Sequence, residues 1–215
     1  MSVPDSAAGP RAADAPVPEA PSLVGRRITL LPTVPDHYPF LYELATSQEI
    51  GFRWRYGGQI PQYEVFVQQM WTGVLAQFLI TKTESGQALG LTVAYNADLR
   101  NGHAYIAAVM DQNEAFPGSG VEASALFLNY VFATWNFRKL YAEVLEFNLP
   151  QFSSGLGNAF KEEGVLRAHQ YYGGRFWDMH LVAYYRETWE VEGSRLLERL
   201  RASANRRSSP SVAVD

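Results

Sequence analysis

The sequence predicts an α+β domain built on a mixed, mostly antiparallel sheet with helices on both faces. Three observations predict it. Apolar runs of strand period alternate with runs of helical period in the order β-α-α-β-β-β-α-β-α-β-β. Hairpin chemistry joins consecutive strands at Glu84-Ser85-Gly86, Asn101-Gly102 and Gly173-Gly174. The unit 103–111, 121–135, 139–147 is the one read with parallel geometry, a right-handed crossover within an otherwise antiparallel sheet.

The first strand is predicted at Arg26–Leu31 (RRITLL), ending at Pro32. Asp36 then stands as an acidic N-cap before a helix through Phe40, Leu41 and Leu44. A second helix is expected from Gln62 to about Val74, on the spacing of Val65, Phe66, Gln69 and Met70. Strands follow at Gln77–Thr83, Ala88–Tyr95 and His103–Asp111. The next helix, Val121–Trp135, is apolar on nearly all sides, which predicts wide burial. Lys139–Phe147 alternates like a strand. A helix at Gln151–Glu162 and strands at Val165–Tyr172 and Phe176–Tyr185 close the domain.

Outside this unit, residues 1–22 are rich in Ala and Pro and carry almost no large apolar side chains, which predicts a disordered tail. The domain itself is expected over 23–190. Residues 191–215 read as a short helix at Val191–Arg201, with Leu196, Leu197 and Leu200 at helical spacing, followed by a second disordered tail from Ala202. No internal repeat is present.

Composition narrows the chemistry. The 215 residues include no cysteine, which excludes a disulfide framework, a thiolate zinc site and a cysteine nucleophile. The four histidines, at 37, 103, 169 and 180, lack ligand spacing, so no metal site is expected. A net charge of −4 argues against nucleic-acid binding and is compatible with a cationic substrate, though it equally suits mere solubility. No apolar run approaches the ~18–20 residues of a membrane span, and no secretory signal pattern opens the chain. A cytoplasmic protein without a membrane partner is the expectation.

The strongest chemical signal is strand, glycine loop, helix at 103–135. The first turn of a helix leaves N–H groups unpartnered at the positive end of its dipole, and glycines let a phosphate approach them. Pro117-Gly118-Ser119-Gly120 therefore reads as a pyrophosphate cradle. It lacks the Gly-Lys-Ser/Thr of a P-loop and the longer dinucleotide fingerprint. Glycine-rich turns before helices are also common for structural reasons alone.

Four segments in order carry a resemblance over about 25–189: GRRITLLP, GSGVEASALFLNYVF, RKLYAEVLEFN and AFKEEGVLRAHQYYGGRFWD. Together they resemble the GNAT acetyltransferases, and within them the ribosomal-protein N-terminal acetyltransferase type. The resemblance implies a GNAT-like fold and an N-acyltransferase that uses acetyl-CoA or another acyl-CoA as co-substrate. Gly118, Ser119, Gly120 and Val121 would hold the pyrophosphate through backbone amides. Val109 and Asp111 would pair with the pantetheine arm where the strands 103–111 and 139–147 splay apart, and Asn148 would bond a pantetheine amide. Glu122 matches a family position, although a first-turn carboxylate needs no further explanation.

The chain departs from the family at four places. Ala115 stands where Arg or Gln is common, and Pro117 removes a loop N–H donor. Gln151 stands where a Ser would protonate the departing thiolate, leaving Ser153 or Ser154 as substitutes. Gln170 stands where the family's candidate carboxylate base falls, with His169 beside it.

Direct attack of an amine on a thioester needs no enzyme nucleophile. It needs a base, an oxyanion donor and an acid. His169 is the first candidate base, because an unperturbed imidazole titrates near ~6.5. Strand alternation, however, turns His169 and Gln170 to opposite faces. Glu143, Glu146, Asp111 and Glu114 are further carboxylates near the expected cleft, and Tyr171 and Tyr172 are candidate acids. The oxyanion donor would be a backbone N–H near Val109, and Ser154 is the candidate acid. Asp178 would orient a substrate amine or anchor the last hairpin. The stretch 52–57 (FRWRYG) would wall an acceptor pocket or simply pack as a loop. The acceptor would be a small-molecule amine or a protein N-terminus. A longer acyl donor and a non-catalytic acyl-CoA-binding module remain alternatives, and homodimerisation through the terminal strands is implied by family analogy only.

Overall fold

The computed structural model describes residues 23–52, 54–150 and 160–205. The expected tail at 1–22, Arg53, Gln151, Ser153, Ser154 and residues 206–215 lie outside the described residues.

Strands β1 (Ile28–Pro32), β2 (Val74–Lys82), β3 (Ala88–Asp98), β4 (His103–Met110), β5 (Lys139–Leu145), β6 (Lys161–Tyr172) and β7 (Arg175–Tyr185) form one sheet in the order β1-β2-β3-β4-β5-β7-β6. All neighbours are antiparallel except β4 and β5, as the single crossover predicted. Helices α1 (Tyr38–Thr46) and α2 (Tyr63–Gln69) cover one face, packing Tyr38, Leu41 and Phe66 on Leu79, Leu91 and Val93. Helix α3 (Ser119–Thr134) and the C-terminal helix α4 (Arg186–Asn205) cover the other, where Leu126, Phe127, Val131 and Leu197 meet Ile80, Ala104, Leu140 and Val182. The chain therefore has the mixed α+β sheet, clothed on both faces, that the sequence predicts.

Three expected elements differ. The second helix, expected to about Val74, ends at Gln69, and Val74 already opens β2. The helix predicted to reach Glu162 cannot do so, because β6 already pairs with β7 at Lys161 and Glu162. The terminal helix starts at Arg186, directly after β7, and runs through Asn205 into the expected tail. Arg186 explains the early start: its guanidinium donates to the carbonyls of Phe137 (2.7 Å), Phe132 (2.8 Å) and Trp135 (2.6 Å). A cation thus closes the negative end of α3 and fixes the first residue of α4 in place.

Candidate functional site

The site begins where the parallel pairing fails. β4 and β5 pair at His103↔Lys139, Ala104↔Leu140 and Tyr105↔Tyr141, and no further. Beyond Tyr105 and Tyr141 the strands run on to Met110 and Leu145 without pairing, so they splay into a gap with unpaired backbone along both walls.

Which amides line the gap follows from the ladder. Asp111 N–H bonds Leu89 O at 2.8 Å. Alternate residues bond across an antiparallel ladder, and the register Gly90↔Met110, Leu91↔Val109 is unbroken there. Val109 therefore directs its backbone at β3, as Asp111 does. Ala108 and Met110 direct theirs into the splay, on the side where Gly102 O accepts Arg138 N–H at 2.8 Å. The N–H of Val109 itself therefore faces β3, and the N–H groups near it that face the splay are those of Ala108 and Met110. Val109 itself is half-buried, with its side chain on the α1–α2 face.

At the end of β4 the chain turns through 111–118 into α3. Asp111 Oδ1 accepts Asn113 N–H at 2.9 Å, and Asp111 O accepts Ala115 N–H at 2.9 Å, which shapes the loop from within. Gly118 is the N-cap of α3, with φ 85°, a left-handed conformation that favours glycine. No side chain among the described residues caps the helix. Ser119 turns inward: its N–H bonds Phe116 O at 3.0 Å, and its buried hydroxyl donates to the same carbonyl at 2.7 Å. Glu122 N–H closes the first turn on Gly118 O at 3.0 Å. Of the residues expected to face a pyrophosphate, Gly120 and Val121 keep first-turn N–H groups for it, and Ser119 does not.

Two contacts invisible in the sequence brace this loop. The Glu122 carboxylate, 2% exposed, accepts the backbone N–H groups of Arg27 (2.9 Å) and Ile28 (3.4 Å), joining α3 to β1. The Arg27 side chain reaches back over the Phe116 ring and donates to Pro117 O at 2.7 Å. Ninety residues separate Arg27 from Pro117, so no local pattern announces the pair. On the opposite wall, Asn148 is half-buried in the 3-10 turn Glu146–Asn148 that ends β5.

The α1–α2 face carries the polar groups. Leu140, Ala142 and Val144 point into the α3 core, so Lys139, Tyr141 and Glu143 point to the other side. Tyr95, Tyr105 and Tyr141 make a row of rings there, with successive centroids 5.7 and 5.3 Å apart. Burial first, and the Glu143 charge next, raise the Tyr95 and Tyr105 phenols above their ordinary values. Glu143 is exposed two residues beyond the last β4–β5 pair; its backbone lies in the ladder with β7, and its carboxylate makes no hydrogen bond or ion pair with the described residues. Glu163 contrasts with it. Burial would raise its carboxyl, but hydrogen bonds from Lys139, Tyr185 and Tyr141 hold it at about 2.

At the far end of the gap, Phe52 from the α1–α2 connection stacks on Tyr172 of β6, and Gln170 Nε2 donates to Phe52 O at 2.7 Å. Gln170 thus faces this wall. His169 is exposed in a bulge where three residues of β6, Arg167 to His169, lie opposite one of β7, Asp178. Ala168 takes φ 48° in the bulge, and Asp178 holds it by accepting Ala168 N–H at 2.8 Å and pairing with Arg167 at 2.5 Å. Asp178 therefore anchors the hairpin.

Among the described residues no cluster of three or more His, Cys, Asp or Glu forms a metal cage, and no helix is long and apolar enough to cross a membrane.

No family model matches the chain, and no curated protein matches it in sequence. Solved structures do share its fold. A spermidine N-acetyltransferase from Vibrio cholerae, in complex with CoA and spermine, superposes with TM-score 0.67 at 16% identity, covering 76% of this chain and 98% of its own. A GCN5-related N-acetyltransferase from Brucella melitensis gives 0.65 at 22% identity, covering 86% and 87%. An acetyltransferase of the GNAT family from Bacillus anthracis gives 0.62 at 15%, covering 77% and 98%. At these identities the likeness establishes the fold.

Proposed function

We propose that the chain is an N-acyltransferase that moves an acetyl group, or another acyl group, from acyl-CoA to a primary amine by direct attack. The observation that carries this reading is the β4–β5 splay opening beside the uncapped N-terminus of α3. A long phosphorylated thioester needs both features, one to pair with its amide-bearing arm and one to receive its pyrophosphate. The shared fold supports the same reading, since one of the similar structures is in complex with CoA and spermine.

Acyl-CoA would supply an activated thioester. On this reading Gly118, Gly120 and Val121 bind the pyrophosphate. The backbone of Ala108 and Met110, with Asn148, binds the pantetheine arm. One of the splay-facing N–H groups, Ala108 or Met110, stabilises the developing oxyanion. The amine enters from the α1–α2 face, where Glu143 stands exposed beside the tyrosine row. Glu143 attracts the ammonium form and takes its proton, directly or through water. The amine nitrogen then bonds to the carbonyl carbon as the C–S bond breaks, and the sulfur leaves as a thiolate that takes a proton. Ser154 is the side chain proposed for that proton. His169, exposed in its bulge, takes second place to Glu143 as base. The acceptor is a small amine or a protein N-terminus, the latter being the activity of the ribosomal-protein type that the sequence resembles.

The test is release of free CoA from acetyl-CoA in the presence of a panel of diamines, amino sugars and peptides with free N-termini. Turnover with any primary amine supports the reading. Tight binding of acetyl-CoA with no turnover across the panel would contradict it in favour of a non-catalytic acyl-CoA-binding module.

A further inference from the structure

The loop 111–117 (DQNEAFP) carries two carboxylates and no basic residue. The nearby Lys82 is engaged with Glu114 at 3.3 Å. A pyrophosphate entering at the α3 N-terminus would therefore meet only the helix's partial charge, about half a unit. Ala115 occupies the place where the resemblance expects a cationic or amide side chain.

Arg27 supplies what is missing. Its backbone is pinned to the first turn of α3 by the Glu122 carboxylate at 2.9 Å, so its Cα cannot drift from the loop. Its guanidinium carbon lies 4.3 Å from the Phe116 ring centroid, and Nη2 donates to Pro117 O at 2.7 Å. The same Nη2 is 3.5 Å from the point where a Cβ on Gly118 would stand. The guanidinium is thus held over the loop glycine. It has five N–H donors, and the Pro117 bond engages one Nη2 hydrogen. Among the described residues no carboxylate stands within ion-pair distance of the Arg27 guanidinium. A stacked and tethered guanidinium with no ion-pair partner among the described residues, beside backbone N–H groups, matches the geometry of a phosphate site.

We propose that Arg27 is a phosphate-binding residue of the acyl-CoA site, reaching the pyrophosphate from the position just before β1. The proposal rests on the function proposed above. Contact with Arg27 supplies the full charge that the loop lacks, and the tether to Pro117 sets the guanidinium in place before the ligand arrives.

The test is titration calorimetry of the full chain with free CoA at several salt concentrations, on wild type and Arg27→Met, with inorganic pyrophosphate as competitor and a thermal melt on each protein. Methionine keeps much of the apolar stem and removes the charge. The expected result is a loss of CoA affinity of about 10- to 100-fold. With it should come a flatter dependence of affinity on salt, loss of competition by pyrophosphate, and little change in melting temperature. Equal CoA affinity in the two proteins would overturn the proposal. So would a weaker affinity that keeps the wild-type salt dependence and pyrophosphate competition, because Arg27 would then only shape the loop. If wild type itself binds no CoA, the function proposed above fails and this inference fails with it. Should Arg27→Met not fold, Arg27→Gln takes its place, keeping a donor for Pro117 without the charge.

Discussion

The Glu122 carboxylate of α3 accepts the backbone N–H of Arg27 at 2.9 Å, and the Arg27 side chain returns to the loop that begins the same helix. The two residues make a closed brace between β1 and α3 around Gly118. The buried carboxylate sits on the first helical turn, where its charge also suits the helix dipole.

Replacing Glu122 by Ala leaves the N–H groups of Arg27 and Ile28 without their acceptor in a buried setting. The expected cost is about 2–3 kcal/mol, or roughly 5–10 °C in melting temperature for a chain of this size. Glu122→Gln keeps an acceptor oxygen and should lose less than half of that. Thermal melts of the two variants check the difference.

Glu143→Gln should lower amine acylation by about 10²- to 10⁴-fold, the usual scale for losing a general base. CoA affinity should stay within a factor of two or so, because Glu143 lies on the acceptor face and not among the proposed phosphate or pantetheine contacts. Parallel turnover and calorimetry separate the two effects. Equal turnover in wild type and variant would remove Glu143 from the mechanism.

Glu163 titrates at about 2 in the folded chain, against an ordinary value of 4.5. A depressed carboxyl stabilises the fold above its ordinary value and loses that contribution as pH falls through the folded value. Between pH 4.5 and 2 the wild type should therefore lose stability through this group. Glu163→Gln should be less stable than wild type at pH 6, and the gap should close toward pH 2. Denaturant melts at pH 6, 4 and 2.5 measure it.

The fold was legible because its punctuation is local. Asn101-Gly102 and Gly173-Gly174 mark turns, and the strand–helix–strand unit 103–147 gives the one parallel pair. The loop at Gly118 was legible for the same reason, since a glycine before an apolar helix is a short-range signal. What stayed hidden depends on distant partners. Arg186 starts α4 by reaching carbonyls about fifty residues away, with no capping residue to announce it. The bulge that exposes His169 is built on an alanine at positive φ and fixed by Asp178 from the next strand, so no Gly or Asn marks it. Whether Val109 or its neighbours face the splay depends on ladder parity, which a sequence does not state. Arg27 reads as one basic residue of a strand until Pro117 is beside it.

The β4–β5 splay and the Gly118 loop together make the proposed acyl-CoA site. Titration calorimetry of the purified chain with acetyl-CoA, free CoA and a long-chain acyl-CoA, repeated on Gly118→Trp, tests it most directly. Micromolar binding of at least one of the three is expected, abolished in Gly118→Trp, because an indole on the αL N-cap would fill the cradle and displace Arg27. No binding of any of the three to the wild type, or equal binding to Gly118→Trp, would contradict it.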